Sequence, residues 1–514
     1  MQLPRQCQDA RSLALLRVLL GLYVIYDVLS RLKHGRVSLL WFTSSDGSFL
    51  REEDSPHGNV LHRLWFYRGT ELLQWNCFSA TLLLALLYAF GYRCRTTNVA
   101  LWFWVVAMQS RNMHMHDGSD TFLRHLLLWS CQLPMARFWS VDAFRGRNAS
   151  QKQNLVDSTT ISSAAVWGIR LQIVFMYLGT VLNRTLDKFG VSGLHHSEWM
   201  PPQLTAVHYA LSSSFAVRDV LWGDMVRQNI MMSQFMTVCS MLIESLAPCL
   251  LLVLPSRYHT LPASLLFQLH LGLLLFVNLP NWQFIGMLAS VIWIPGHVWD
   301  GLLRQLSKQF PHQVPPPPVK APTKKNDDGG EKPPHGRANV PGRRRPFLTY
   351  FLLAYMIYNW CSERRWIPKF DNGDIGEFLR FSQFWVMYGR PPRNAVNTIF
   401  VGQQLNGTSY YDVWHWIASP HELALVNYDQ RTSSIWVNMT HVYPSPRWER
   451  IFDQWGGRND ISRATYFLQQ FCKIPDQPFE RLEIIWQHLR VMPPGSSKRY
   501  EKFRQDVTVH ALCE

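Results

Sequence analysis

"SRNMHMHDGSDTFLRHLLLWSCQLPMARFWSVDA", residues Ser110–Ala143, decides how this chain is read. Its first eleven residues hold one arginine, two histidines and two aspartates, and its centre, Phe122 to Trp139, is mostly apolar. A polar knot at the mouth of a greasy helix has two readings. Asp117 and Asp120 can satisfy the free N–H groups of a helix start. Alternatively, the knot is a site, because ionisable groups at membrane depth are costly and tend to mark function. His114, His116 and Asp117 alternate too loosely to predict a metal centre, and none is expected.

Outward from this stretch, the composition fits a membrane protein. Of 514 residues, 47% are hydrophobic and 17% charged, against about 25% charged in soluble domains. The 22 tryptophans suit a chain with many water–lipid boundaries. The net charge of +15 falls mostly in short basic runs between apolar segments, which is how membrane topology is encoded. There is neither zinc-finger spacing nor a long basic helix, so the expected partner is the lipid bilayer and not nucleic acid.

The apolar stretches are Leu13–Leu29, Leu72–Phe90, Val99–Met108, Phe122–Phe138, Ser162–Leu182, Met231–Leu254, Leu261–Val277, Phe284–Leu303 and Phe347–Trp360. They predict about nine spans, Val99–Met108 and Phe347–Trp360 being short for the roughly 20 residues a crossing needs. The first, interrupted by Arg17 and Asp27 and lacking a small-residue cleavage site, reads as a retained helix.

With the N-terminus in the cytosol, the inside loops carry Arg93 and Arg95, then Arg145, Arg147 and Lys152, then Arg257. The linker Arg304–Arg345 carries ten Lys/Arg against three Asp/Glu. Arg31, Lys33 and Arg36, after the first span, break the pattern. The tail lands on the other side of the membrane, where the sequons at Asn406 and Asn438 fit a lumenal glycoprotein. Cys472 and Cys513 could pair there. Cys131, Cys239 and Cys249 read as packing residues.

The expected fold class is mainly α: a polytopic membrane helix bundle with a small α/β extracytosolic C-terminal domain. Residues 1–304 form the bundle, 305–345 a disordered basic Pro-rich cytosolic linker, 346–361 the last span and 362–514 the tail domain. In the tail, "AVNTIFVGQQLNGTSYYDVWHW" predicts two β-prone runs around Asn406-Gly407. "TSSIWVNMTHV" predicts a strand, and "RLEIIWQHLRVMP" leans to one. "SPRWERIFDQW" and "SRATYFLQQFCK" predict helices with serine starts.

Other polar groups at membrane depth are Arg124 and His125 after the knot, then Asn183, Arg184, Asp187, Lys188, His195, His196, Glu198, Trp199 and His208. Glu244 and His270 lie inside later spans. Each of these two reads either as a structural hydrogen-bonding group or as part of a site.

The order of these motifs resembles the HTTM family, the membrane domain shared with vitamin K-dependent γ-carboxylase. It is carried by "ALLRVLLGLYVIYDVLSRL", the knot with its ending Trp139, Ser140 and Asp142, "MYLGTVLNR…W…TAVHYAL", "MLIESLAPCLLLVLP…LLFQLHLGLLLFVNLPNWQF", "FSQFWVMYGRPP" and "YPSPRWERIF". The resemblance covers most of the chain. It implies a lysine base that deprotonates reduced vitamin K or another quinol. The oxygenated product takes a glutamate γ-proton from a secreted protein or peptide, and CO2 adds.

The family's lysine position, seven residues on from Tyr177, falls on Arg184, and arginine is a poor base. If the protein is an enzyme, Lys188, a turn further, takes the place of the catalytic base through a shift of helix register, with His116 as a positioning group. Arg111, Asp117 and Asp120 would form the pocket rim, and Arg184, Trp199, Glu244 and His270 the rest of a cofactor site. The family's Asn-Asn-His is replaced here by Asp117-Gly118-Ser119, with Asp120 following. If the protein is not an enzyme, the same charges would hold helices together in a scaffold or a lipid- or ion-handling protein. The expected location is the endoplasmic reticulum or another endomembrane.

Overall fold

The computed structural model describes residues 8–32, 71–111, 116–147, 159–185, 198–212, 221–309 apart from 278 and 280, 346–368, and 376–513 with interruptions, the longest being 427–445. Lys188, His195, His196, the 305–345 linker, Asn406, Asn438 and the strand predicted at "TSSIWVNMTHV" lie outside the described residues, apart from the linker's first five.

A two-residue strand β1 (Gln8–Asp9) leads into α1 (Ala10–Leu32), followed by α2 (Glu71–Phe90), α3 (Cys94–Arg111), α4 (Gly118–Ser130) and α5 (Val141–Arg147). Strand β2 (Thr160–Ile161) pairs antiparallel with β1. The bundle continues with α6 (Ala164–Thr185), α7 (Ala206–Ser212), α8 (Leu221–Gln228), α9 (Ile230–Val253), α10 (Thr260–Phe276), α11 (Trp282–Ser290), α12 (Gly296–Gln309) and α13 (Pro346–Ser362). Among the described residues, five helices are long and apolar enough to cross a membrane: Ala10–Leu32, Leu72–Phe90, Ala164–Thr185, Ile230–Val253 and Ser256–Phe276.

Two of the expected spans are broken. The stretch Phe122–Phe138 is helical only to Ser130, about 20 Å of rise where a span needs about 30 Å. Pro134 lacks an N–H, and the chain turns there onto the buried Arg17. The Arg17 guanidinium donates to the carbonyls of Met135 at 2.9 Å, Phe138 at 3.1 Å, Ala89 at 3.2 Å and Trp139. Phe284–Leu303 is likewise interrupted, by a 3-10 turn at Val291–Trp293 and by Pro295, which forces Ile294 into an extended conformation. The carbonyls freed at this break are taken by the N-terminal segment: Gln8 Nε2 donates to Ile292 at 2.7 Å and Ser12 Oγ to Ile294 at 2.8 Å.

The ending "FWSVDA" ties the same region together. Asp142 accepts from the backbone N–H groups of Arg93 at 2.9 Å and Cys94 at 2.8 Å, where α3 begins. Ser140 Oγ accepts from Ala143 N at 2.9 Å and opens α5. A Cβ at Gly91 would lie 2.4 Å from the Ser140 Cβ, and its φ of +69° is one that glycine adopts freely. Cys131 is buried and Cys239 partly so, but Cys249 is exposed, because it lies on the outer surface of α9 and not in its packing face.

The C-terminal part is an antiparallel sheet of order β5-β4-β3-β6-β7, with β8 also on β6. Its elements are β3 (Asn394–Gln404), β4 (Tyr410–Asp412), α14 (Val413–Ala418), β5 (Leu425–Val426), α15 (Pro446–Arg458), α16 (Ile461–Cys472), β6 (Phe479–Val491), β7 (Tyr500–Lys502) and β8 (Val507–Leu512). The hairpin forms with Val401 opposite Asp412 and Gln403 opposite Tyr410. Its second run is shorter than expected. Asp412 accepts from the N–H groups of Trp414 at 2.8 Å and His415 at 3.3 Å, so "VWHW" starts a helix and not a strand. Helix α16 is capped by Asp460, two places ahead of the predicted serine start at Ser462, through Arg463 N at 3.2 Å. Phe400, Trp414, Phe452, Phe467 and Phe471 interleave edge-on to form the core. Cys472 and Cys513 are bonded, closing β8 against α16.

The tail is threaded back into the bundle. Gln383 and Gln172 of α6 exchange amide hydrogen bonds at 2.8 and 3.1 Å, and Trp385 Nε1 donates to Gln383 at 3.0 Å. Trp385 meets Phe122 and His125 of α4 edge-on.

Candidate functional site

The predicted residues separate into two groups. The knot is one of them. Asp117 caps α4, accepting from Ser119 N at 2.7 Å and Asp120 N at 3.1 Å, while Asp120 accepts in return from Asp117 N at 3.1 Å. Asp120 also takes Arg31 Nη2 at 2.5 Å and Gln109 Nε2 at 3.1 Å. Arg31 is held from its own helix by Asp27 at 2.9 Å, and Asn281 Nδ2 reaches Asp27 at 2.8 Å. His116 Nε2 donates to the Gln109 carbonyl, and Arg124 donates to the Gln109 side chain at 2.6 Å. Arg111 is the last residue of α3, and its side chain lies outside what is described. The knot is therefore a helix cap fused to a buried ionic network. Arg31 belongs to that network and not to a loop, which removes one of the three breaks in the charge pattern.

The second group lines a mainly apolar cavity of about 250 Å³ between α6, α7, α9, α10 and α11. Arg184, Trp199, Glu244 and His270 all face it. Arg184 of α6 is ion-paired with Glu244 of α9, and its guanidinium carbon lies 3.9 Å from the centre of the Trp199 ring. Such a pair inside an apolar wall keeps each charge compensated. His270 Nε2 and the Tyr177 hydroxyl hydrogen-bond at 2.7 Å. His270 fits because position 286 is glycine: a Cβ there would lie 2.1 Å from the imidazole. Gly272, which also lines the cavity, is different, since a Cβ there would meet no atom within 4 Å.

No family model, no curated protein and no solved structure matches this chain.

The two groups meet at one turn. Asn281, at φ +58°, bonds the knot's Asp27, and the next residue, Trp282, lines the cavity. The Trp282 ring stands 6.0 Å from Phe122 of α4 and 6.1 Å from His270, centre to centre. His116, Asp117 and Asp120 are not among the cavity-lining residues. Among the described residues no group of three or more His, Cys, Asp or Glu is placed to hold a metal ion.

Sequence reasoning missed Tyr177 and Trp282 as cavity residues, because a tyrosine or tryptophan in an apolar run carries no signal of where it points. It also missed the Asp27–Arg31 pair, whose i,i+4 spacing on one helix face was a readable signal.

Proposed function

We propose that this chain is a multi-pass membrane protein of the HTTM kind, related to vitamin K-dependent γ-carboxylase, whose bundle binds a quinol or lipid in the Arg184–Glu244 cavity. One observation carries the reading: Arg184, Trp199, Glu244 and His270, widely separated in sequence, line one apolar cavity together with Tyr177. A few convergent polar groups in an apolar cavity suit an amphiphile with a hydrogen-bonding head.

The residues present fit reduced vitamin K or another quinol. The Tyr177–His270 pair and Arg184 supply donors, Glu244 supplies an acceptor, and Trp199 and Trp282 supply flat apolar faces. When bound, such a quinol would provide the oxidisable ring that carboxylation consumes. In this reading Lys188 is the base, and the knot of His116, Asp117 and Asp120 acts only indirectly, holding the Asn281–Trp282 turn beside the cavity through Asp27 and Arg31. The substrate is a glutamate of a secreted protein or peptide.

The proposed topology has about nine crossings, the shorter helices α3, α4, α13 and the broken α11–α12 pair completing those of the five long ones. The N-terminus and the 305–345 linker would be cytosolic. The C-terminal domain would lie in the lumen of the endoplasmic reticulum or another endomembrane, a setting that favours the Cys472–Cys513 bond.

The deciding assay is vitamin K hydroquinone-dependent incorporation of labelled CO2 into a glutamate-rich peptide by microsomes carrying the protein. Wild type should exceed Lys188→Ala; equal background in both ends the carboxylase reading. A non-catalytic lipid-handling protein or scaffold is the second reading. It is favoured by a specific observation: Arg184, at the position where the resemblance expects the base, is ion-paired with Glu244 at the cavity. Quinone binding without CO2 incorporation would select it.

A further inference from the structure

Gln268 lies near the middle of α10, within the apolar Ser256–Phe276 stretch that is long enough to cross a membrane. It lines the cavity, and it is also exposed. Among the described residues its amide has no hydrogen-bond partner. An unpaired amide at that depth is costly, and polar side chains there tend to face a pathway or a polar guest. Gln268 thus marks a place where the cavity reaches the surface of the bundle.

That place is the seam between two long helices. The chain reverses at Ser256–Tyr258, so α9 and α10 pack side by side in opposite directions. Met236, Ser240 and Glu244 of α9 line the cavity at steps of one turn, and Phe276, Gly272 and Gln268 of α10 do so in reverse order. Ser240 and Gly272 hold the middle of the two rows, and neither carries bulk. A Cβ at position 272 would meet no atom within 4 Å. Beside the seam the same helices turn large apolar side chains outward, Leu242 at 50% exposure and Leu275 at 56%. Apolar surface of that kind on span-length helices belongs against lipid. The cavity therefore opens toward the bilayer.

We propose that the cavity takes its ligand sideways from the hydrocarbon core of the bilayer, through a portal between α9 and α10 left open at Ser240 and Gly272, with Gln268 as its polar sill. The ligand is a membrane-dissolved amphiphile with an apolar body and a small neutral head. The head is neutral because the ions of the cavity, Arg184 and Glu244, already compensate each other. A charged head would leave an unpaired charge in an apolar wall. A head leaving the leaflet meets Gln268 first, whose amide offers both a donor and an acceptor. It then reaches the Tyr177–His270 pair on the inner wall. The inference rests on the reading of the cavity as an amphiphile site, and it adds the route and the charge of the head.

Two native cysteines of α9 supply the test. Cys239 lines the cavity behind the seam, and Cys249 is exposed on the outer surface of the same helix. The full-length protein in lipid nanodiscs is treated with apolar N-pyrenylmaleimide or with a sulfonated maleimide, and labelling at each cysteine is followed by mass spectrometry. The pyrenyl reagent should label Cys239 and Cys249 at comparable rates, and the sulfonated one should label Cys239 at least about tenfold more slowly than the pyrenyl one does. Gly272→Leu should slow pyrenyl labelling of Cys239 by about tenfold or more and leave Cys249 unchanged. Ser240→Leu, which narrows the portal from α9, should do the same. A variant that misfolds is recognised by new labelling of the buried Cys94 and Cys131. Wild-type Cys239 that reacts as fast with the sulfonated reagent overturns the proposal, because the cavity then opens to water. So does a Cys239 that reacts with neither reagent, or one whose labelling is unchanged in a folded variant. No step needs quinol or CO2, so a negative carboxylation assay leaves the portal standing, and a closed portal leaves that assay to decide for itself.

Discussion

Arg184 on α6 and Glu244 on α9 face each other inside the cavity wall, and Trp199 lies flat beneath the guanidinium at 3.9 Å. Two long helices are registered by this contact. Because the ions compensate each other, the apolar cavity meets a polar but nearly neutral floor. Removing either partner alone leaves the other as a buried charge.

Arg184→Met or Glu244→Leu alone should destabilise the protein by about 3–5 kcal/mol. The double variant should cost clearly less than the sum, because it leaves no orphaned ion. Thermal unfolding in detergent, followed by loss of the monodisperse peak, measures this. Additive single costs below about 1 kcal/mol, the worth of an exposed pair, would mean that the two residues do not pair in the folded protein.

The cavity's two glycines should behave oppositely. Gly286→Ala drives a methyl into the His270 ring at 2.1 Å, so the imidazole must leave its place beside Tyr177. Overpacking of this kind costs about 1–3 kcal/mol. Gly272→Phe meets open space, so it should fold normally while filling the cavity. A fluorescent quinone or lipid analogue that binds wild type should bind Gly272→Phe at least about tenfold more weakly, a loss of about 1.4 kcal/mol. Unchanged binding would place the ligand elsewhere.

Much of this arrangement was legible beforehand. Periodicity and length found α1, α2, α6, α9 and α10, since an apolar run of that size has few alternatives. The hairpin at β3–β4 and the strand β6 followed from local β-prone runs. The breaks at Pro134 and Pro295 were masked by continuing hydrophobicity, and what fixes them is distant: Arg17 for one, Gln8 and Ser12 for the other. For the site, Glu244 and His270 stood out because a charged or imidazole group in an apolar run needs a reason. The reading that joined them to the knot as one pocket failed on side-chain direction. Asp117 and Asp120 point back into their own cap and toward Arg31, and spacing alone does not reveal that.

The knot should accordingly behave as a structural element. Asp120→Ala removes the Arg31 partner and half of the capping box together. A cap alone is worth about 1 kcal/mol, and loss of one of the two carboxylates on Arg31 adds to it, by less than an orphaned ion would because Asp27 remains. Asp117→Asn keeps a capping oxygen and should be milder, within about 1 kcal/mol of wild type. If Asp120→Ala leaves thermal stability intact but abolishes ligand binding or activity, the residue acts on the ligand and the structural assignment is wrong.

The Cys472–Cys513 bond makes the most direct statement about where the tail resides. The two residues are 41 apart, so the bond closes a long loop between α16 and the end of β8. In the chain-entropy account a closure of that length is worth about 4 kcal/mol. Such a bond persists in an oxidising lumen and is rare in the cytosol. Protein from cells, denatured under alkylating conditions with a maleimide–polymer, should show two fewer reactive thiols before reduction than after it. Cys472→Ser should expose one new thiol, at Cys513, and should unfold its C-terminal domain at lower temperature. If both cysteines label without reduction in protein taken directly from cells, the tail faces a reducing compartment, and the orientation proposed for every span reverses with it.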